Sequence, residues 1–202
     1  MKYLWMLAGG LGLGVAASFM PAHQATAQEN CMWEAGLKAY ELDEEGIAAL
    51  YDCISDDLAA GYASGDNEVA AEYRSWGVTA TGPYAPGAHS DRLLLTFAND
   101  IGYDAYVQYA VDDDFEMPVG SVLAKESFSL RNNGNPRPGP LFIMTKVAEG
   151  EADEFDNWVY SAVQPNGNAM GISQAFCHDC HVAFAAQDSL GYPAFDVRFE
   201  TE

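Results

Sequence analysis

The chain has 202 residues, with 30 acidic side chains against 9 basic ones and a formal charge of −21 at pH 7. Such a surface repels nucleic acid and anionic lipid, which argues against a binder of either. The length and a hydrophobic fraction of 49% suit one folded domain with a real core. No internal repeat, low-complexity block or composition shift marks a second domain.

Met1-Lys2 is a minimal positive start, and an apolar run follows from Tyr3 to Met20. Pro21 breaks it, and Ala25-Thr26-Ala27 supplies a small-x-small triplet. The pattern predicts a signal peptide over 1–27 and a mature domain over 28–202, periplasmic or secreted. An uncleaved membrane anchor is the alternative, since the run is just long enough to span a bilayer. The triplet and the glycines in the run favour cleavage, and no later segment is apolar enough to cross a membrane.

The remaining elements predict an α+β fold, with a helical part over 28–65 and a β-rich part over 75–202. A short helix is expected from Cys31 to Tyr40. A longer one is expected from Asp43 to Tyr62, where Ile47, Leu50, Tyr51, Ile54, Leu58 and Tyr62 recur at helical spacing. Ser64-Gly65-Asp66 ends it. Trp76 to Ala80 and Arg92 to Phe97 read as strands around the loop "TGPYAPGAHS", and Asp104 to Ala110 as a short helix. "SVLAKESFSL", "PLFIMTKV" and "NWVYSAV" have strand length and composition, joined by the turns "NNGNP" and "EGEADEFD". Consecutive strands with short polar connections predict an antiparallel sheet.

The four cysteines fall into two groups. Cys31 and Cys53 are 22 positions apart, and in an oxidising compartment such a pair is expected to form a disulfide. Closing that loop contributes about 3 kcal/mol on the chain-entropy estimate. Cys177-His178-Asp179-Cys180-His181 has the C-x-x-C-H spacing of covalent haem attachment. Two thiols three residues apart can each add to a vinyl group on one edge of a porphyrin, which carries His181 under the ring as axial iron ligand. One haem c is therefore expected, tethered by Cys177 and Cys180. His178 is a filler position. A zinc site would want a second such pair, and a thioredoxin-like redox pair would want a βαβ setting and has no use for His181.

A haem motif so near the C-terminus, after mostly strand-like sequence, is unlike the small helical cytochromes. From Leu93 to Phe195 the chain resembles the cytochrome P-460 family, with its cytochrome c′-beta relatives. The resemblance lies in "LLLTFANDIGYDAYVQYA", "MPVGSVLAKESFSL", "GPLFIMTKV", "DNWVYSAVQPNG" and "FCHDCH". The helical N-terminal part with Cys31 and Cys53 resembles one branch of the family. The resemblance implies an antiparallel sheet enclosing a haem with an open sixth position, in a homodimer. It also implies chemistry on hydroxylamine or nitric oxide, or nitric oxide binding without turnover. In hydroxylamine-oxidising members a lysine is bonded to the porphyrin, and its match here is Lys125.

The pattern of residues alone would not select Lys125. It shares a strand face with Leu123, Ser127 and Ser129, compatible with an ordinary exposed lysine. Lys146, on a face with Phe142 and Met144, is its rival. Glu126 neighbours Lys125 but points to the opposite side, so the distal acid of the family has no single match. His89, Met144 and Met170 are candidate sixth ligands, which would make the chain a non-catalytic electron-transfer haem protein, with a loop histidine and core methionines as the plainer reading. Phe97, Tyr103, Tyr106 and Phe142 are candidate core or haem-lining residues. A small hydroxylamine or nitrogen-oxide ligand and a redox partner, basic by charge complementarity, are the expected partners.

Overall fold

The computed structural model describes residues 31–85, 89–90, 92–112 and 114–200. The segment read as a signal peptide lies outside them. No helix among the described residues is long and apolar enough to cross a membrane.

The helical part is built around α1 (Glu44–Tyr62), whose start is set by Asp43: its side chain accepts a hydrogen bond from the Gly46 N–H at 2.9 Å. Glu44 and Glu45 in the first turn suit the positive end of the helix. Leu50, Ile54, Leu58 and Tyr62, four apart, form its buried stripe. A short α2 (Glu68–Glu72) follows, capped by Asn67. The helix expected over Cys31 to Tyr40 is absent: only a 3-10 turn over Ala39–Glu41 forms. That segment instead lies on the 131–135 turn, with the Trp33 N–H donating to the Gly134 carbonyl at 2.9 Å. Tertiary contact overrides its helix propensity.

Six antiparallel strands make one sheet: β1 (Gly77–Val78), β2 (Leu93–Ala98), β3 (Val122–Leu130), β4 (Pro136–Pro138), β5 (Leu141–Lys146) and β6 (Trp158–Val163). The order is β1-β2-β3-β5-β6, with β4 paired to the far end of β3. The expected α+β architecture with an antiparallel sheet is present. Between β2 and β3 a single-turn α3 (Tyr103–Tyr106) replaces the longer helix expected to Ala110. β4 was not anticipated, because its two prolines read as turn; it is an outer strand, where proline is tolerated.

Both faces of the sheet are covered, so β2 is buried at every position and β3 at seven of nine. On one face Leu93, Leu95, Phe97, Ala124, Phe128 and Ile143 pack against α1 and α2. On the other, Ala98, Leu123, Met144, Trp158 and Tyr160 pack against the C-terminal segment with Leu190 and Tyr192, and Cys177 lies against this second core. The cysteine motif thus folds onto the face opposite the helical part.

The register fixes which side chains share that face. Lys125 stands opposite Thr96 in β2 and Phe142 in β5, and Met144 stands opposite Tyr160 in β6. Lys125 is only 8% exposed, which overturns its reading as an ordinary surface lysine.

Candidate functional site

The motif lies on α4 (Gln174–His181), whose Ser173 cap accepts from the Phe176 N–H. A side-chain clamp seats this helix on the outer strand β6. The Tyr160 N–H donates to Gln174 Oε1 at 2.7 Å, and Gln174 Nε2 donates to the Tyr160 carbonyl at 2.6 Å. An open strand edge is thereby satisfied by one glutamine. Cys177, Cys180 and His181 are three and four apart, hence on one side of the helix.

Cys177 is half-buried and Cys180 exposed, and both thiols are free. Burial pushes the Cys177 thiol up, with the neighbouring Cys180 adding to it. Sγ atoms of Cys31 and Cys53 stand 2.08 Å apart as a disulfide. Among the described residues no group of three or more His, Cys, Asp or Glu gathers as a protein-only metal site would need. The zinc alternative finds no ligand set, since its second cysteine pair is bonded to itself. The redox-pair alternative lacks its setting, since every pairing in the sheet is antiparallel.

His181 is buried, at 9% exposure. Its Nδ1 lies 2.7 Å from the Ser189 carbonyl. A carbonyl only accepts, so Nδ1 carries the proton and Nε2 keeps a free lone pair. Burial lowers the ring's pKa to about 4, with the Lys125 charge acting in the same direction. The neutral imidazole is surrounded by Tyr160, Phe184 and His89, at ring-centre distances of 5.4, 6.4 and 6.4 Å.

Lys125 faces the same space. Its Nζ has one long hydrogen bond, 3.3 Å to the Gly191 carbonyl, and burial alone pulls its pKa down to about 8. His89 packs on Phe142 at 4.6 Å, and burial, then Lys125 and His181, push its pKa down to about 3. His89, a candidate sixth ligand or a plain loop histidine by sequence, stands with its ring centre 6.4 Å from that of His181. Met144 is core filler on this face, and Met170 is half-buried on the strand-like stretch beside β6, where its N–H donates to the Ala162 carbonyl.

Other residues singled out from the sequence lie apart from this space. Lys146 is buried and paired with Asp188 at 2.7 Å, beside the Trp158 ring. Glu126 is fully buried on the opposite face, between Tyr51, Tyr73 and Arg74. Phe97 belongs to the helical-side core, while Tyr103 and Tyr106 pack in the other. His178 turns to Tyr160 and to Asp156, 3.3 and 3.8 Å away. Among the described residues no carboxylate is hydrogen-bonded to Lys125, His89 or His181.

This donor set fits a tethered haem. Two free thiols, one accessible, lie one turn before and immediately before an imidazole whose Nε2 is unprotonated and whose other nitrogen is fixed by a carbonyl. Aromatic rings stand around that imidazole, and among the described residues no carboxylate pairs with the nearby Lys125. Compared with known proteins, the chain matches no family model and no curated protein sequence.

Proposed function

We propose that this chain is a c-type haem protein of the cytochrome P-460 kind, exported and tethering one haem through Cys177 and Cys180. The observation that carries the reading is the His181 imidazole, with Nδ1–H committed to the Ser189 carbonyl and Nε2 left to bind iron. When bound, the haem supplies an iron that binds small nitrogen oxides or hydroxylamine and exchanges electrons with them.

The protein's residues would do the rest. His181 would bind the iron, with the buried Tyr160 ring and the exposed Phe184 ring beside it. Oxidation of hydroxylamine to nitric oxide releases three electrons and three protons, so the site needs a proton acceptor. His89, neutral and half-buried beside His181, is the described group nearest for that task, though its lowered pKa makes it a weak base. Lys125 is the residue for the crosslink that the resemblance implies. In that crosslink the Lys125 amine would be the group bonded to the porphyrin. Its burial and lowered pKa enlarge the neutral, nucleophilic fraction.

A second reading has its own support. The space beside His181 is bounded by aromatic side chains and no described carboxylate enters it, which suits reversible nitric oxide binding without turnover. In either reading the acidic surface favours a basic redox partner at low salt.

Expression in a host competent for cytochrome c maturation tests the proposal. The expected product is coloured and keeps its haem through denaturation. The Cys177→Ser/Cys180→Ser variant should lose it. A colourless wild type ends the reading. Steady-state oxidation of hydroxylamine with an artificial acceptor, compared with Lys125→Leu, separates the two functions. Turnover that needs Lys125 supports the enzyme, and tight nitric oxide binding without turnover supports the binder.

A further inference from the structure

The strand β5 ends in a buried lysine that the site itself does not use. Lys146 Nζ donates to Asp188 Oδ1 at 2.7 Å and to the Asp156 carbonyl at 3.0 Å, and sits 5.3 Å from the centre of the Trp158 ring. Its partner Asp188 begins a turn of two consecutive non-glycine residues in the left-handed region, with φ of 52° at Asp188 and 59° at Ser189. Each carries a steric cost, so such a pair persists only where its surroundings hold it.

The hold is complete. Asp188 Oδ2 accepts the Met117 N–H at 2.9 Å, and the Asp188 carbonyl accepts the Trp158 indole N–H at 2.9 Å. Ser189 Oγ donates to Asp156 Oδ2 at 2.6 Å. These bonds tie the turn to β5, to β6, to the connection between them and to the loop before β3. The Asp188 and Ser189 N–H groups donate back to the Ala185 and Phe184 carbonyls at 3.2 and 3.0 Å, and the Ser189 carbonyl takes the His181 Nδ1 proton at 2.7 Å.

We propose that Lys146 and Asp188 are positioning residues for His181: the pair locks the Asp188–Ser189 turn, and the turn fixes the imidazole tautomer and the direction of its free Nε2. Only the identity of what Nε2 meets rests on the haem reading. Stability alone would not call for this pair, because buried ion pairs are often matched by apolar residues of similar volume. What charges add is direction, and here the direction ends on a ligand nitrogen. A partner on Nδ1–H raises the electron density at Nε2 and sets the ring's orientation.

The test uses Asp188→Asn, Lys146→Met, Lys146→Arg and the uncharged double variant Lys146→Met/Asp188→Leu, which keeps a neutral interior should a single change fail to fold. Nitrogen-15 NMR of the full chain without haem reads the His181 tautomer directly. The wild type and Lys146→Arg should show a single Nδ1-protonated form, and Lys146→Met and the double variant a mixture. In haem-loaded protein the midpoint potential should move upward in the same variants as the imidazole donates less. Melting temperatures that fall while tautomer and potential stay as in the wild type would overturn the proposal and leave the pair a structural tie. A wild type that takes up no haem would defeat the haem reading, and the tautomer measurement would then decide the positioning role by itself.

Discussion

Lys125 and Glu126, consecutive in β3, are buried on opposite faces of one sheet, at 8% and 0% exposure. Alternation along the strand sends the first to the His181 side and the second to the α1 side. Two adjacent charged residues can both be buried only because the sheet has a covering layer on each side, and the two meet very different surroundings. Lys125 has a carbonyl at 3.3 Å and, among the described residues, no carboxylate partner. Glu126 has two phenols and a guanidinium.

The Lys125 surroundings predict a pH dependence in the protein without haem. The unfolded chain takes up the lysine proton near 10.5, whereas the folded chain takes it up only at about 8. Between those values the unfolded state binds more protons, so stability rises with pH there. The gain is about 3 kcal/mol on completion, and it is absent below pH 8 where both states are charged. Urea unfolding of the wild type and Lys125→Met at pH 7.5 and 10 should show the rise in the wild type alone. Equal slopes in the two proteins would mean that the amine is solvated.

Glu126 predicts the opposite sensitivity. Its carboxylate accepts from Tyr51 at 2.8 Å, from Tyr73, and from Arg74 at 2.7 Å, which joins α1 and the segment after α2 to the sheet. Burial nonetheless raises its pKa, against the pull of Arg74. The stabilisation linked to its proton is therefore complete below the ordinary glutamate range and lost as pH climbs through the raised value. Glu126→Ala should cost about 3 kcal/mol, since it strands two phenols and a half-buried cation. Glu126→Gln, which keeps an acceptor, should cost less and should flatten the pH dependence. A Glu126→Ala chain as stable as the wild type would remove this joint from the account.

The disulfide belongs to the same half of the molecule. It ties the non-helical stretch at Cys31 to the middle of α1 at Cys53, across 22 positions. Cys31→Ser/Cys53→Ser should lower stability by about 3 kcal/mol. On the haem reading, attachment should survive, because α4 lies on the other face of the sheet. Loss of haem staining in this variant would show that the two halves are coupled.

Much of this was legible in the chain because its signals are local. The Asp43 cap and four-residue spacing give α1, the β-branched and aromatic runs give β2, β3, β5 and β6, and C-x-x-C-H gives the group of Cys177, Cys180 and His181. What was not legible depends on packing between distant segments. Alternating exposure made Lys125 look like a surface lysine, since nothing in β3 announces a second covering layer. The prolines of β4 hid a strand because an outer strand and a turn look alike there. The Ser189 carbonyl and Gln174 left no signal: the first is backbone, and the second acts through a strand edge that only the fold reveals.

His89 carries the last prediction, which rests on the haem reading. Its ring lies on Phe142 and stands 6.4 Å, centre to centre, from the His181 ring, the planes crossing at 83°. It makes no described ring hydrogen bond, and burial keeps it neutral. Were a haem held by His181, this imidazole would be one of the groups nearest a small ligand bound there. In haem-loaded His89→Ala, nitric oxide should therefore associate faster than in the wild type. Dissociation should also quicken, because a neutral imidazole at that distance can hold a bound ligand by a hydrogen bond. His89→Phe separates the two effects: it keeps the bulk, so association stays near the wild-type rate, while dissociation rises as in the alanine variant. Stopped-flow traces that coincide for all three proteins would place His89 outside the ligand path and leave Phe142 and Phe184 as its walls.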